Sequence, residues 1–215
     1  RGYIASQGGY VKKCTVCGVE YISDPVYEFK AGEGVVLDRG GLEIRQTKVT
    51  DSVIKTFEAT VKTPYKFGQT AVIFSNLPDY DKRATLEDGL EIGINSDGYF
   101  SITIGKGNSY TFSTKAIDNG QNWYHLAMTF DSTTNEIKLY VNGTLKETKT
   151  STLALSSVLP SARNFYFGRN LHSGNPNAFE GNGFIKNAAI WSSVRSEADI
   201  KGDMSYIFNF HGNLN

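Results

Sequence analysis

Two stretches of the 215-residue chain concentrate amide, charged and aromatic side chains that could bind a polar ligand. The first loop, Ser75 to Gly89, and the second loop, Arg169 to Asn182, each separate two apolar runs. Amide and guanidinium groups supply the paired donors and acceptors that sugar hydroxyls require, and long loops on a rigid scaffold often carry function. The alternative is that these residues only keep the loops soluble. We predict ligand contacts from nine side chains, without separating the two loops: Asn76, Asp79, Tyr80, Arg83, Arg169, Asn170, His172, Asn175 and Asn177.

Cys14 and Cys17 form the run C-T-V-C-G, whose spacing fits half of a four-ligand zinc site or a redox pair. The histidines that could complete a zinc site, His125, His172 and His211, come far later in the chain. A thioredoxin-like pair needs a βαβ context, which the short extended segment after Cys17 does not supply. The sequence leaves open whether the two cysteines are bridged, free or metal-bound.

A search for catalytic groups favours a protein that is not an enzyme. Glycoside hydrolysis needs two carboxylates about 5 to 9.5 Å apart, and the nearest acidic cluster, Glu87, Asp88 and Glu91, places only Glu91 inside a predicted strand. His125 shares one side of its predicted strand with Trp123 and has no nucleophile elbow as a partner. We therefore predict that His125 is a packed or hydrogen-bonded residue, and we assign no catalytic residue.

Charge and hydropathy exclude several other classes. The 22 basic and 22 acidic residues give a formal net charge of zero, which removes the electrostatic footprint of a general nucleic-acid or anionic-membrane binder. No apolar run approaches the roughly 18 residues that span a bilayer. We expect neither nucleic acid nor membrane insertion, and we expect the chain to be a segment of a longer protein.

The period of the apolar residues predicts an all-β fold. From Val26 onward the period is two, which is typical of half-buried antiparallel strands. The clearest runs are Phe57-Ala59-Val61, Leu90-Ile92-Ile94, Phe100-Ile102-Ile104, Tyr124-Leu126-Met128-Phe130 and Ile137-Leu139-Val141. About a dozen such strands without a βαβ rhythm predict a two-sheet antiparallel sandwich.

Two local signals refine this prediction. Asn142-Gly143 favours a type I′ turn, and we expect Val141 and Leu145 to face each other across that hairpin. One short helix is predicted, from Ser196 to Met204, because Ser196 and Asp199 are spaced like a capping box.

Two blocks of sequence resemble a known family. The run N-W-Y-H-L-A-M-T-F-D at Asn122 to Asp131, followed by E-I-K-L-Y-V-N-G at Glu136 to Gly143, resembles the laminin-G-like branch of the concanavalin A-like jelly rolls. The runs F-Y-F-G-R at Phe165 to Arg169, F-E-G-N-G-F-I-K-N-A-A-I-W at Phe179 to Trp191, and then R-S-E-A-D-I, are similar to the closing strands and trailing helix of that family. The resemblance covers the chain from Val26 to Met204.

The resemblance implies a jelly roll with binding of glycans or protein ligands, often with a calcium ion at one edge. The closing strand of the family commonly carries an acidic I-D-E, where this sequence reads Ile185-Lys186-Asn187. Calcium requires several oxygen ligands, usually including carboxylates, so Lys186 counts against an inherited ion. Calcium therefore stays open, the metal ligands are unknown, and no other cofactor is assigned.

The first residues carry a second resemblance. The run G-G-Y-V-K-K-C-T-V-C-G-V-E-Y is similar to short G-Y…C-x-x-C-G-x-x-Y repeats of modular extracellular bacterial proteins. It implies a secreted or cell-surface parent protein. We expect residues 1–24 to be an N-terminal linker or the end of a preceding cysteine-containing repeat, and residues 25–215 to be the jelly-roll domain.

The predicted function is a non-catalytic carbohydrate-binding or adhesion module. Its expected partners are a glycan or a host or cell-surface ligand, together with other modules of the same polypeptide. The alternative is a structural spacer or protein-interaction module that binds no sugar. A large exposed apolar area on one sheet would favour that alternative.

Overall fold

Antiparallel strands dominate the computed structural model, which describes residues 3–4, 9–13, 20–23, 25–28, 35–36, 42–44, 54–62, 71–77, 89–105, 108–116, 123–155, 165–167, 184–191, 193–206, 208 and 210. For residues before 54, and for residues 165, 166, 184, 186, 187 and 206, only the backbone is described. The described elements are 16 strands and one helix. The predicted all-β antiparallel sandwich with a short helix is confirmed.

A small sheet precedes the sandwich. Its strands are β1 (Tyr3–Ile4), β2 (Gly9–Lys13) and β3 (Glu20–Ser23), paired in that order. The next strand, β4 (Pro25–Glu28), already belongs to the sandwich. The domain boundary between residues 24 and 25 stays a prediction, and Cys14 and Cys17 lie outside the described residues.

The sandwich consists of a seven-stranded and a six-stranded sheet. The seven-stranded sheet contains β4 with β5 (Val35–Val36), β7 (Thr56–Lys62), β12 (Trp123–Asp131), β13 (Glu136–Val141), β14 (Thr144–Thr150) and β16 (Phe184–Trp191). Its order is β14-β13-β12-β7-β16-β4, and β5 pairs with the start of β16. The six-stranded sheet contains β6 (Leu42–Ile44), β8 (Ala71–Ser75), β9 (Leu90–Ile94), β10 (Tyr99–Ile104), β11 (Asn108–Lys115) and β15 (Phe165–Phe167). Its order is β11-β10-β9-β8-β15-β6.

The core lies between the two sheets and consists of the residues that the period-two pattern selects. Of the five predicted runs, every residue except the partly buried Tyr124 is buried in one apolar cluster. Phe57 from one sheet packs against Phe74 and Phe167 from the other, with ring centroids 5.1 and 6.3 Å apart. Burial of one such side chain stabilises the fold by about 1.5–3 kcal/mol, so these runs account for the sheet packing.

The Asn142-Gly143 turn forms as predicted, but its register differs from the prediction. Both residues have positive φ, 52° and 75°, as a type I′ turn requires. A two-residue turn pairs the residues directly beside it, so Val141 faces Thr144, and Leu145 faces Tyr140. The expected Val141–Leu145 pair is therefore wrong by one residue.

The helix α1 (Glu197–Tyr206) starts at the predicted capping box. Ser196 Oγ accepts a hydrogen bond from the Asp199 N–H, and the Ser196 N–H donates to the Asp199 carboxylate. The helix extends two residues beyond the predicted end at Met204 despite Gly202. In the described part of the chain, no helix is long and apolar enough to cross a membrane.

The two sheets are joined along one edge of the sandwich. Strands β11 and β14 are the outermost strands of their sheets. The Glu147 carboxylate of β14 accepts hydrogen bonds from the N–H and the hydroxyl of Ser113 in β11, at 2.7 and 2.8 Å. Lys149 forms an ion pair with the same carboxylate. Glu147 therefore links the two edge strands.

Candidate functional site

The outer face of the six-stranded sheet, turned away from the core, carries a row of polar side chains. Register places Ser75, Glu91, Thr103 and Ser109 side by side on four neighbouring strands. We call these four residues the polar row. At the usual strand spacing it spans about 14 Å, which is longer than a single sugar ring. Within the described strands, the row extends along the sheet.

Hydrogen bonds hold the polar row together at both ends. At one end, Ser75 Oγ donates to Glu91 Oε2 at 3.1 Å. At the other, the hydroxyls of Thr103 and Ser109 lie 2.9 Å apart. Ser75 is fully buried, Glu91 and Thr103 are half-buried, and Ser109 is exposed. The row therefore offers a solvent-accessible carboxylate and two hydroxyls in fixed positions.

A second line of residues runs beside the polar row. Gly93, Ser101 and Thr111 are paired across β9, β10 and β11. A Cβ atom at Gly93 would lie 2.5 Å from the carbonyl oxygen of Ala71, which is too close for any side chain. Only glycine fits this position, so no side chain projects from β9 opposite Ser101.

A cation and an aromatic ring end this face on the side of β11. Tyr99 pairs with Lys115, and the Lys115 Nζ lies 5.4 Å from the centre of the Tyr99 ring. Tyr99 is half-buried and Lys115 is exposed. Among the side chains described on this face, Glu91 is the only carboxylate and Lys115 the only cation.

Of the nine predicted ligand-binding residues, the structure describes Asn76. Its side chain is 1% exposed, and its Oδ1 accepts a hydrogen bond from the Leu90 N–H at 2.7 Å. The backbone N–H of Asn76 donates to the Leu90 carbonyl at 3.0 Å. Asn76 thus closes the base of the first loop, and a direct ligand contact by Asn76 stays a prediction. The other eight lie outside the described residues: Asp79, Tyr80, Arg83, Arg169, Asn170, His172, Asn175 and Asn177.

The two predicted loops follow neighbouring strands of the six-stranded sheet. The first loop follows Ser75 at the end of β8, and the second follows Phe167 at the end of β15. These two strands are neighbours and antiparallel, with Tyr166 opposite Ser75 and Phe167 opposite Phe74. Strand β15 therefore runs opposite to β8 where the second loop begins, and the first loop begins directly at Ser75 of the polar row.

The outer face of the seven-stranded sheet is buried over the middle of β7 and β12, contrary to the half-buried strands that the alternation predicts. Residues 193–206, 208 and 210, the C-terminal cover, pack across it through Ile200, Phe208 and Phe210. Beneath the cover, Glu58 and His125 are each 0% exposed. Sequence periodicity separates the two sides of a strand but does not show that a distant segment covers the polar one.

Glu58 and His125 lie in an aromatic environment. Trp191 Nε1 donates a hydrogen bond to Glu58 Oε2 at 2.8 Å, and Glu58 Oε1 lies 3.8 Å from His125 Nε2. The His125 ring packs edge-on against Phe208 with centroids 4.8 Å apart. Burial lowers the pKa of His125 to about 3, so the imidazole is neutral at pH 7. The predicted packed histidine is in place, and neither ring nitrogen has a hydrogen-bond partner among the described residues.

Arg195 fastens the cover to the sheet. Its guanidinium donates two hydrogen bonds to the buried Asp203 carboxylate, at 2.8 and 2.7 Å, and stacks 4.0 Å from the centre of the Trp191 ring. The backbone N–H of Arg195 donates to Thr56 Oγ1 at 3.0 Å, and the Thr56 hydroxyl donates to the Ser193 carbonyl. Trp191 is thus a packing anchor between the cover and the sheet.

No metal centre is assembled within the described ranges. They contain no group of three His, Cys, Asp or Glu residues that could hold an ion. In β16, a register shift separates Ile185 from Asn187, so Lys186 sits at a bulge. The side chains of Lys186 and Asn187 are not among those described, and calcium stays open.

The polar row is the feature that sequence reasoning missed. From the sequence, Glu91 lies inside a predicted strand without a role, and Ser75 marks only the edge of the first loop. A signal was available in β10, where Tyr99, Ser101 and Thr103 alternate with the buried Phe100 and Ile102. The side-by-side placement of Ser75 and Glu91 depends on strand register, which alternation does not give.

The comparisons with known proteins agree with this architecture. The family model for the concanavalin A-like lectin/glucanases superfamily, in its laminin-G form, matches residues 39–201. No curated protein matches the sequence.

Solved structures with the same fold have low sequence identity. The IT-sialidase CBM40 of Ruminococcus gnavus bound to α2,3-sialyllactose superposes with a TM-score of 0.63 at 16% identity, over 83% of this chain and 98% of that one. The NanB sialidase of Streptococcus pneumoniae gives 0.60 at 17% identity, over 82% of this chain and 28% of that one. The SAP-like pentraxin of Limulus polyphemus gives 0.52 at 15% identity, over 71% and 70%.

Proposed function

Since the chain belongs to the concanavalin A-like lectin/glucanase superfamily, we propose that it is a non-catalytic carbohydrate-binding module. The outer face of its six-stranded sheet forms the binding surface, and side chains of the first loop contribute contacts to the ligand. The structurally similar CBM40 of the Ruminococcus gnavus IT-sialidase is bound to sialyllactose. This similarity supports a glycan as the ligand class.

The polar row is the observation that carries this proposal. Sugars present many hydroxyls that both donate and accept hydrogen bonds, and carboxylate and hydroxyl side chains satisfy both roles. Glu91, Thr103 and Ser109 present such groups from rigid strands. Groups held in place by strands lose little freedom on binding, so a shallow surface can still be selective.

The same face supports recognition rather than hydrolysis. Glycosidases use two carboxylates on opposite sides of the scissile bond. Among the side chains described on this face, Glu91 is the only acid. The side chains described on this face therefore do not form such a pair, and Glu91 can accept hydrogen bonds from sugar hydroxyls.

In this proposal, the first loop contributes more ligand contacts than the second. It starts directly at Ser75, so Asp79, Tyr80 and Arg83 belong to a segment attached beside the polar row. Arg169 and His172 follow β15, which runs antiparallel to β8. We propose that the first loop supplies the primary contacts, and that the second loop extends the surface.

In this proposal, the module belongs to a secreted or cell-surface protein that contains further modules. A host or cell-surface glycan is its partner. The alternative of an interaction module without sugar binding has less support, because the only large apolar side chains exposed in the described part of the chain are Leu145 and Val194. Two such residues do not form an extended docking patch.

A glycan array tests the proposal, with α2,3-sialyllactose, α2,6-sialyllactose and lactose as defined probes. Each array is run once with calcium and once with a chelator. Two variants localise the binding: Thr111→Glu on the proposed face and Thr148→Glu on β14. Both threonines are exposed on the edge strand of a sheet, so the two variants are matched in chemistry and differ in face.

We expect Thr111→Glu to weaken binding at least tenfold and Thr148→Glu to leave it unchanged. Equal loss in both variants would contradict the assignment of the face. Loss of binding with the chelator would establish a calcium site. Silence of the folded protein on the whole array would contradict carbohydrate binding.

A further inference from the structure

Ser75 connects two parts of the proposed binding surface through one hydroxyl group. Its Oγ donates a hydrogen bond to Glu91 Oε2 at 3.1 Å and accepts one from the Leu77 N–H at 3.3 Å. Glu91 belongs to the open outer face, whereas Leu77 is the second residue after β8, at the start of the first loop. Ser75 itself is 0% exposed and cannot contact a glycan directly.

We propose that Ser75 is a positioning residue that fixes the Glu91 carboxylate and the start of the first loop relative to each other. This inference rests on the proposed glycan-binding face. It assigns Ser75 a role in specificity although Ser75 touches no ligand.

The neighbouring hydrogen bonds make the position of Ser75 rigid. Two hydrogen bonds join Asn76 and Leu90. The Leu90 backbone N–H donates to Asn76 Oδ1, and the Asn76 backbone N–H donates to the Leu90 carbonyl. Ser75 and Asn76 thus bind both residues that open β9, Leu90 and Glu91. Because these hydrogen bonds fix the backbone at Ser75, the Ser75 hydroxyl points in one direction. The Glu91 carboxylate oxygen that accepts its hydrogen bond is held in place as well.

Fixing the carboxylate matters because a glutamate side chain has several rotatable bonds. Immobilising such a side chain during association weakens binding roughly two- to tenfold. A hydrogen bond to a charged group is also stronger than one between neutral groups. With Ser75 in place, this ordering is already present in the free protein.

The oriented carboxylate specifies which part of the glycan lies above it. Glu91 accepts hydrogen bonds and cannot donate them when ionised. The ligand group over Glu91 is therefore a donor, either a sugar hydroxyl or an acetamido N–H. A carboxylate of an acidic sugar would be repelled here and would have to lie elsewhere on the surface.

A serine–glutamate pair at the joined edge of the sandwich, outside the polar row, supplies the control. Ser113 Oγ donates to Glu147 Oε2 at 2.8 Å across the joined edge strands. Ser113→Ala removes the same kind of hydrogen bond as Ser75→Ala without touching the polar row. Ser75→Cys keeps the size of the buried side chain and serves if Ser75→Ala does not fold.

The first measurement needs no ligand. The carboxyl ¹³C resonance of Glu91 and the amide exchange of Leu77 are compared in wild type, Ser75→Ala, Ser75→Cys and Ser113→Ala. We expect the Glu91 resonance to shift and the Leu77 amide to exchange faster in the Ser75 variants only. An unchanged Glu91 resonance in these variants would overturn the inference whether or not a glycan binds.

The second measurement is a double-mutant cycle on α2,3-sialyllactose binding. We expect Ser75→Ala to weaken binding three- to tenfold and Glu91→Gln to weaken it at least as much. The double variant should be no weaker than Glu91→Gln alone, because Ser75 acts through Glu91. Effects that multiply would overturn the positioning role. Absence of binding to every array glycan would instead refute the proposed function, and the ligand-free resonance would still decide the role of Ser75.

Discussion

The outer faces of the two sheets differ in what covers them. On the six-stranded sheet, Thr111 is exposed and Ser101 and Thr103 are half-buried, whereas on the seven-stranded sheet Glu58 and His125 are fully buried. Both faces carry polar residues that alternate with core residues. The difference arises from the C-terminal cover, which lies across one face only.

The comparison shows that alternation defines a face but not its use. On the covered face, polar side chains form hydrogen bonds and pack under the cover; Glu58, for example, accepts a hydrogen bond from Trp191. The open face leaves Glu91 and the hydroxyl residues beside it partly accessible. Stability should therefore depend most on the covered face, and binding on the open one.

Removal of Trp191 should have the largest effect on stability. Trp191→Ala deletes a fully buried ring and leaves Glu58 without its indole donor, so we expect a loss of about 3–5 kcal/mol in the free energy of unfolding. Urea unfolding measures it. The half-buried Trp123 provides the control, and Trp123→Ala should cost clearly less. A loss below about 1 kcal/mol for Trp191→Ala would mean that the cover contributes little.

Acidification should weaken the covered face next. Burial lowers the pKa of His125 to about 3, below the ordinary value near 6.5, so the unfolded chain binds the proton more readily. The stabilisation is complete above pH 6.5 and is lost as the pH falls from there toward 3. Between pH 7 and pH 5 the loss is about 2 kcal/mol.

Urea unfolding at pH 7, 6 and 5 measures this loss. The variant His125→Phe removes the titrating group while keeping an aromatic ring against Phe208, and its stability should change less over the same range. Identical pH profiles for the two proteins would show that His125 is not the group responsible.

On the open face, we expect a smaller effect from Gly93→Ala. The new Cβ would meet the Ala71 carbonyl oxygen at 2.5 Å, and backbone cannot move away as a flexible side chain can. We expect a loss of about 1–3 kcal/mol, measured by urea unfolding, together with weaker glycan binding because β8 and β9 shift. Unchanged stability would show that the two strands separate without strain.

Gly202→Ala should give the smallest effect and one of opposite sign. Gly202 lies within α1, and a Cβ there meets nothing within 4 Å. Alanine favours helix over glycine by up to about 1 kcal/mol, so we expect a small gain in stability and no change in binding. The thermal midpoint measures it, and a decrease would mean that α1 needs the flexibility of glycine.

Much of the fold could be predicted from local sequence signals. Period-two runs identify the core residues, Asn142-Gly143 identifies a tight turn, and Ser196 with Asp199 identifies the start of a helix. These signals act between residues close in the chain. The pairing of Val141 with Thr144 rather than Leu145 was missed because it depends on the number of residues inside the turn.

The candidate site was harder to predict because its parts meet only through sheet register. Ser75 and Glu91 are 16 positions apart and meet across β8 and β9. Asn76 was predicted from its polarity, which does not show that its side chain turns inward to Leu90. Composition can select a polar loop, but it cannot tell which amide faces the solvent.

The link between Glu147 and Ser113 also protects the module from its own copies. An unpaired N–H on an outermost strand is a template on which another chain can add a strand, and such additions lead to aggregation. Here the Glu147 carboxylate occupies the Ser113 N–H. Hydrogen bonds from Lys149 and Ser113 lower the pKa of Glu147 to about 2, so the carboxylate stays charged even in acidic surroundings. A strand of another copy of the chain therefore cannot pair with the Ser113 N–H at this edge.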